Sequence, residues 1–134
     1  MALKDALDLR LRRHKLAHRA QGHYYRPLPD FLLDITEGFD EPLFSIVRDQ
    51  STWLVVCRSW VHSKYEGDTV RYSLDEFEAA LSKNATKSHG LSKIFDSENR
   101  GIWVMSTLVY TSIYSIVHFL NRPSVQSGEI DRPR

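Results

Sequence analysis

At 134 residues, with 42% hydrophobic and 26% charged residues and a formal charge of +1, the chain has the size and balance of a single globular domain. A charge this close to zero assigns no polyanionic partner to the molecule as a whole. One cysteine, Cys57, excludes an internal disulfide or a cysteine-rich zinc site and fits a reducing, cytoplasmic setting.

Residues 2–21 predict a first helix. Leu3, Leu7 and Leu11 recur every four positions, Leu9, Leu16 and Ala20 widen the stripe, and Gly22 is a natural stop. The charged start lacks the apolar stretch of a secretory signal, and Asp5 and Asp8 speak against a mitochondrial presequence. The polar side of this helix is basic, with Arg10, Arg12, Arg13, Lys15 and Arg19 beside His14 and His18. From Met1 to Pro29 seven Lys or Arg stand against two Asp, a formal charge of +5. From Asp30 to Asp49 six acids stand against Arg48, a charge of −5. These blocks either face each other or water, where exposed ion pairs contribute about 0–1 kcal/mol each, or form docking surfaces of opposite sign.

His23 to Pro27 reads as a connector, since Pro27 and Pro29 interrupt regular structure. Leu28, Phe31, Leu32 and Ile35 return to helical spacing, so a short helix is predicted from about Pro29 to Glu37, with Gly38 as its stop. A strand over Phe31–Thr36 is the alternative. Leu43–Arg48 and Thr52–His62 predict a strand pair joined by the turn Asp49-Gln50-Ser51. The second of these is apolar on both sides and reads as a central strand. Glu66-Gly67-Asp68 is a further turn, leading to a short strand over Thr69–Tyr72.

Ser73-Leu74-Asp75-Glu76 is a capping box, which predicts a helix from about Leu74 to Lys83. Asn84 to Asp96 is expected to be a loop with a short turn around Leu91–Phe95. Gly101–Leu120 then carries no charged residue in 20 positions. Ile102, Met105, Val109, Ile113, Ile116, Val117 and Leu120 fall on one helical face, with Thr107, Thr111, Ser115 and His118 opposite. This predicts a helix of about five turns, capped by Asp96 or Ser97 and stopped at Asn121 and Pro123. A membrane span is the rival reading by length, but six Ser, Thr and His side chains within the stretch weigh against it. Its polar yet uncharged second face implies a cover, supplied by the fold or by a partner. Residues 124–134, poor in apolar side chains, read as a mobile tail.

The fold expected is α+β: a small antiparallel sheet of about three strands packed on helices, with the long uncharged helix as core partner. Residues 1–123 would form one globular domain.

No constellation for chemistry emerges. His14 and His18, four apart on a helix, could share a metal and His23 could add a third ligand, but there is no HExxH motif and no Cys nearby to make a site. Cys57 lies mid-strand on an apolar side, where a thiol is ordinarily inert. Asp30, Asp34, Glu37, Asp40 and Glu41 match no metal-loop spacing, and no glycine-rich phosphate loop exists. The chain is therefore read as non-enzymatic, without cofactor or metal. It would act by binding another protein, as an inhibitor, immunity protein or adaptor does, an analogy at the level of class. Two docking surfaces follow: the basic helix (Arg10, Arg12, Arg13, Lys15, Arg19) and the acidic segment (Asp34, Glu37, Asp40, Glu41). Tyr24, Tyr25 and Trp60 are candidate aromatic anchors. The alternative is nucleic-acid binding through the basic helix, with those aromatics stacking on bases. A homodimer is compatible with either reading.

Overall fold

The computed structural model describes residues 2–36, 38, 40–85 and 92–128. It is α+β. The helices are α1 (Leu3–Arg13), α2 (Leu16–Arg19), α3 (Asp30–Thr36), α4 (Leu74–Lys83), α5 (Thr107–Leu120) and α6 (Pro123–Gln126). The strands are β1 (Tyr24–Tyr25), β2 (Pro42–Asp49), β3 (Thr52–Cys57), β4 (Trp60–Tyr65), β5 (Asp68–Ser73), β6 (Lys93–Phe95) and β7 (Gly101–Trp103). Strands β1 to β5 form one antiparallel sheet in sequential order, and β6 and β7 pair separately. Five strands in the main sheet replace the three expected, for two reasons. Tyr24-Tyr25 is an edge strand, paired with Ile46 and Ser45, rather than a connector. The strand expected over Thr52–His62 is two strands folded back on each other.

That fold-back is made by Asp40. Its Oδ2 accepts the amides of Ser59 (2.8 Å) and Trp60 (3.0 Å), satisfying the turn between β3 and β4. Nothing in the local sequence of Arg58-Ser59 announces a turn, because the group that closes it comes from another segment.

Pleating sends alternate residues of β3 to opposite faces of the sheet. Leu54 and Val56 join the large core with Phe44, Ile46, Val61 and Tyr72. Trp53, Val55 and Cys57 join a second, small cluster with Val47, Leu28 and Leu32. All six residues of β3 are buried, as its central position requires. The large core holds the apolar sides of α1, α4 and α5, while the small cluster is the seat of α3.

The first helix is broken. Lys15 adopts a left-handed conformation (φ 55°) between α1 and α2. Ser112 of α5, fully buried, repairs the break: its hydroxyl donates to the His14 carbonyl (2.7 Å), and Arg19 Nη1 donates to Ser112 Oγ (2.9 Å). Ser112 thus lies on the buried side of α5. Further along it, Tyr114 bonds Ser82 of α4, and Tyr110 donates to the Leu81 carbonyl. The face expected to be covered is a different one: among the described residues Thr111 and His118 are exposed, together with Leu108, and Thr107 and Ser115 are only half-buried.

The uncharged stretch is also shorter as a helix than its periodicity predicts. Gly101–Trp103 is β7, and the helix begins only after Ser106, whose Oγ accepts the Val109 amide (3.2 Å). Ser106, not Asp96 or Ser97, is therefore the cap. Ile102 pairs across to Ile94, and a β-branched residue suits a strand as well as the apolar stripe of a helix. Gly101 is needed there for close approach: a Cβ would lie 3.0 Å from the Tyr65 ring. The α4 capping box is formed as expected, with Glu76 N to Ser73 Oγ at 3.1 Å and Ser73 N to Glu76 Oε1 at 3.0 Å.

The segment read as a tail opens with structure. Val125 in α6 is fully buried, and Gln126 Nε2 donates to the carbonyls of Leu120 (2.7 Å) and Arg58 (3.0 Å). Residues 129–134 lie outside the described residues, as does Leu91. The short turn expected around Leu91–Phe95 is corrected over its described part: Lys93–Phe95 is β6, held as a strand by its pairing with β7. No helix among the described residues is long and apolar enough to cross a membrane.

Candidate functional site

Helix α3 buries less than its sequence offers. At about 100° per residue, Leu32 and Thr36 share the buried seam. Phe31 and Ile35 lie about 40° from each other on one flank of that seam, and Leu33 lies on the other. All three are exposed, at 38%, 37% and 44%. Asp30 and Asp34 point away from the seam into solvent and have no side-chain partner among the described residues. Six large hydrophobics are exposed among the described residues, and four of them, Tyr25, Phe31, Leu33 and Ile35, fall between positions 25 and 35. Scattered exposed apolar residues are normal, so it is their grouping on one short helix, edged by charge, that makes α3 the candidate surface. The result is an apolar ledge with an acidic outer edge.

The acidic segment expected as one surface is divided by the structure. Asp34 is exposed on α3, without a side-chain partner among the described residues. Asp40 is committed to the β3–β4 turn and also accepts the Glu41 amide (2.9 Å). Glu41 is exposed, 3.9 Å from Arg58. Glu37 lies outside the described residues.

The basic surface divides in the same way. Arg10 lies over the Phe119 ring (4.8 Å), and burial together with Arg122 and Arg13 lowers its pKa. Arg19 joins α2 to α5 through Ser112 and the Leu108 carbonyl. Arg12, Arg13 and Lys15 have no side-chain partner among the described residues. Together with His18, Leu11, Ala17 and Tyr24, Arg12 and Lys15 line an open groove of about 400 Å³. The ion-paired Asp8 and Arg26 line it as well. The break at Lys15 places His14 and His18 on different helical segments. Burial and the neighbouring Arg10, Arg13 and Arg19 lower the His14 pKa, favouring the neutral ring.

The aromatic anchors are likewise unequal. Tyr24 is half-buried against Phe44, with ring centroids 6.1 Å apart. Tyr25 is exposed, on the side of the sheet that α3 covers. Trp60 is half-exposed, with the Arg71 guanidinium 5.1 Å from its ring centroid.

The best-organised polar cluster lies elsewhere, and it is structural. Buried Asp96 accepts from Tyr72 Oη (2.7 Å), Arg100 Nε (2.8 Å) and the amides of Glu98 and Arg100 (both 2.9 Å). Burial raises its carboxyl pKa, but these donors outweigh burial and leave it below the ordinary value. A carboxylate saturated by four donors has little capacity to act as a base. Cys57 is fully buried, and burial with nearby Asp40 raises its thiol pKa to about 12, so it is not a thiolate at neutral pH. Among the described residues no three His, Cys, Asp or Glu side chains gather as a metal set.

The sequence reading placed Phe31 and Ile35 on the inward stripe of their helix and gave Leu33 no role. The missing signal was quantitative: a seven-residue helix over one corner of a sheet has more apolar side chains than one seam can bury. Compared with protein-family models, curated proteins and solved structures, the chain matches none.

Proposed function

We propose that this chain is a non-enzymatic protein that acts by binding another protein, and that α3 is the element it docks with. The observation that carries the reading is the outward exposure of Phe31, Leu33 and Ile35 beside Asp30 and Asp34, which have no side-chain partner among the described residues. An apolar centre supplies affinity through desolvation, while a charged edge supplies orientation and on-rate. The partner's matching surface is apolar with a basic rim. Inhibitors and adaptors fit this description as a class.

The test compares capture from host lysate by three forms of the chain. The double variant Phe31→Ser with Ile35→Ser should lose the captured protein. A variant reversing Arg12, Arg13 and Lys15 to Glu should keep it. Equal recovery by all three forms would refute α3 docking.

A second reading, nucleic-acid binding, rests on Arg12, Arg13 and Lys15, which are exposed and have no side-chain partner among the described residues. With three phosphates neutralised, the logarithm of affinity would fall against log salt with a slope of about −2.7 on duplex DNA. A flat response from 50 to 200 mM salt would remove it.

A further inference from the structure

We infer that the partner of α3 includes a second copy of this chain: the acidic ledge of one molecule docks into the basic groove between α1 and α2 of the next. This rests on α3 as the docking element proposed above. The two surfaces are complementary in both charge and polarity. The ledge offers Phe31 and Ile35 beside Asp30 and Asp34. The groove offers Leu11, Ala17 and Tyr24 beside Arg12, Lys15 and His18. None of the ledge acids or the groove cations is neutralised by a side-chain partner among the described residues. Both surfaces therefore keep their charge for a partner.

Position determines the kind of assembly. α3 rests on the sheet face that carries Trp53, Val55 and Cys57, whereas α1 and α2 belong to the core on the face of Leu54 and Val56. Ledge and groove therefore belong to opposite sides of one molecule, and a chain cannot satisfy its own groove. One contact between two copies leaves a ledge free on one copy and a groove free on the other. Such a head-to-tail contact closes as a ring or continues as an open chain of copies. Its single-helix footprint makes it weak and concentration-dependent, and its charged rim makes it sensitive to salt.

Sedimentation velocity at low salt tests this, over about 10 μM to 1 mM, the range in which weak contacts become occupied. The weight-average mass should rise above the 15.6 kDa monomer and fall back when salt is raised. Two charge-reversed variants separate the surfaces. Arg12→Glu with Lys15→Glu destroys the groove, and Asp30→Lys with Asp34→Lys destroys the ledge. Each alone should remain monomeric. An equimolar mixture should regain a weight-average mass above the monomer, because both surfaces of each variant then meet a surface of opposite charge on the other. That recovery also shows that both variants are folded. A wild-type mass that stays monomeric throughout, or a mixture that does not associate, overturns self-docking. If the wild type is monomeric while the Phe31→Ser, Ile35→Ser chain still fails to capture a protein from lysate, self-docking falls and α3 docking stands. If the wild type associates but both charge-reversed variants do so equally, self-docking through these surfaces falls.

Discussion

The two faces of the main sheet are covered unequally, and the difference separates what folds this chain from what it presents. On one face, α1, α4 and α5 bury a continuous core that includes Leu7, Phe77 and Ile113, each fully inaccessible. On the other, a single seven-residue helix covers a six-residue cluster and leaves three of its own apolar side chains in water. The first face has the packing expected of a stability-determining core. The second has only enough packing to hold α3 in place. Low local packing is where proteins place segments that open, move or bind.

Substitutions on the two faces should therefore differ in both size and reach. Phe77→Ala in the large core should cost about 3–5 kcal/mol and raise amide exchange throughout the chain. Leu32→Ala on the small face should cost about 2–3 kcal/mol and accelerate exchange mainly in α3. Equal, global effects of the two would mean that the faces form one cooperative unit and would break the comparison.

Asp96→Asn should cost about 2 kcal/mol at neutral pH, because charged hydrogen bonds contribute more than neutral ones. The pH dependence follows from the depressed native pKa of Asp96. Its carboxylate stabilises the fold fully above the unfolded-state pKa, and that contribution is lost as pH falls through the lower native value. The wild type should thus lose stability from about pH 5 downward more steeply than Asp96→Asn. Parallel denaturation profiles for the two would contradict the assignment. Ser112→Ala should cost about 1–2 kcal/mol by leaving the His14 carbonyl unsatisfied, with faster exchange at the α1–α2 break as its mark. Phe31→Ser should change stability by no more than about 0.5 kcal/mol, since an exposed side chain contributes little to folding.

Much of the architecture was legible in the sequence because its signals are local. The α4 capping box, the Asp49-Gln50-Ser51 turn and the two-sided apolar pattern of β3 each reside within a few residues. The misreadings arose where distant groups decide the outcome. Asp40 folds β3 back onto β4 from another segment, and Ser112 stabilises a helix break nearly a hundred residues away. Ile102 satisfies a helical period but pairs as a strand because Ile94 lies opposite. The candidate surface was legible only as charge. Asp34 and Lys15 lie on the faces the charge blocks indicated, while Arg19 and Asp40, identical in sequence terms, were taken up by the fold. Phe31, Leu33 and Ile35 were hidden because hydrophobicity alone does not distinguish a buried seam from its exposed flanks.

Hydrogen exchange on the protein bound to a captured partner tests the account most directly. Protection should concentrate on the amides of α3 and the adjoining Tyr25 edge, leaving the exposed stripe of α5 unchanged. Protection confined to the Leu108–His118 stripe, with α3 exchanging as it does in the free chain, would contradict the assignment of α3 as the docking element.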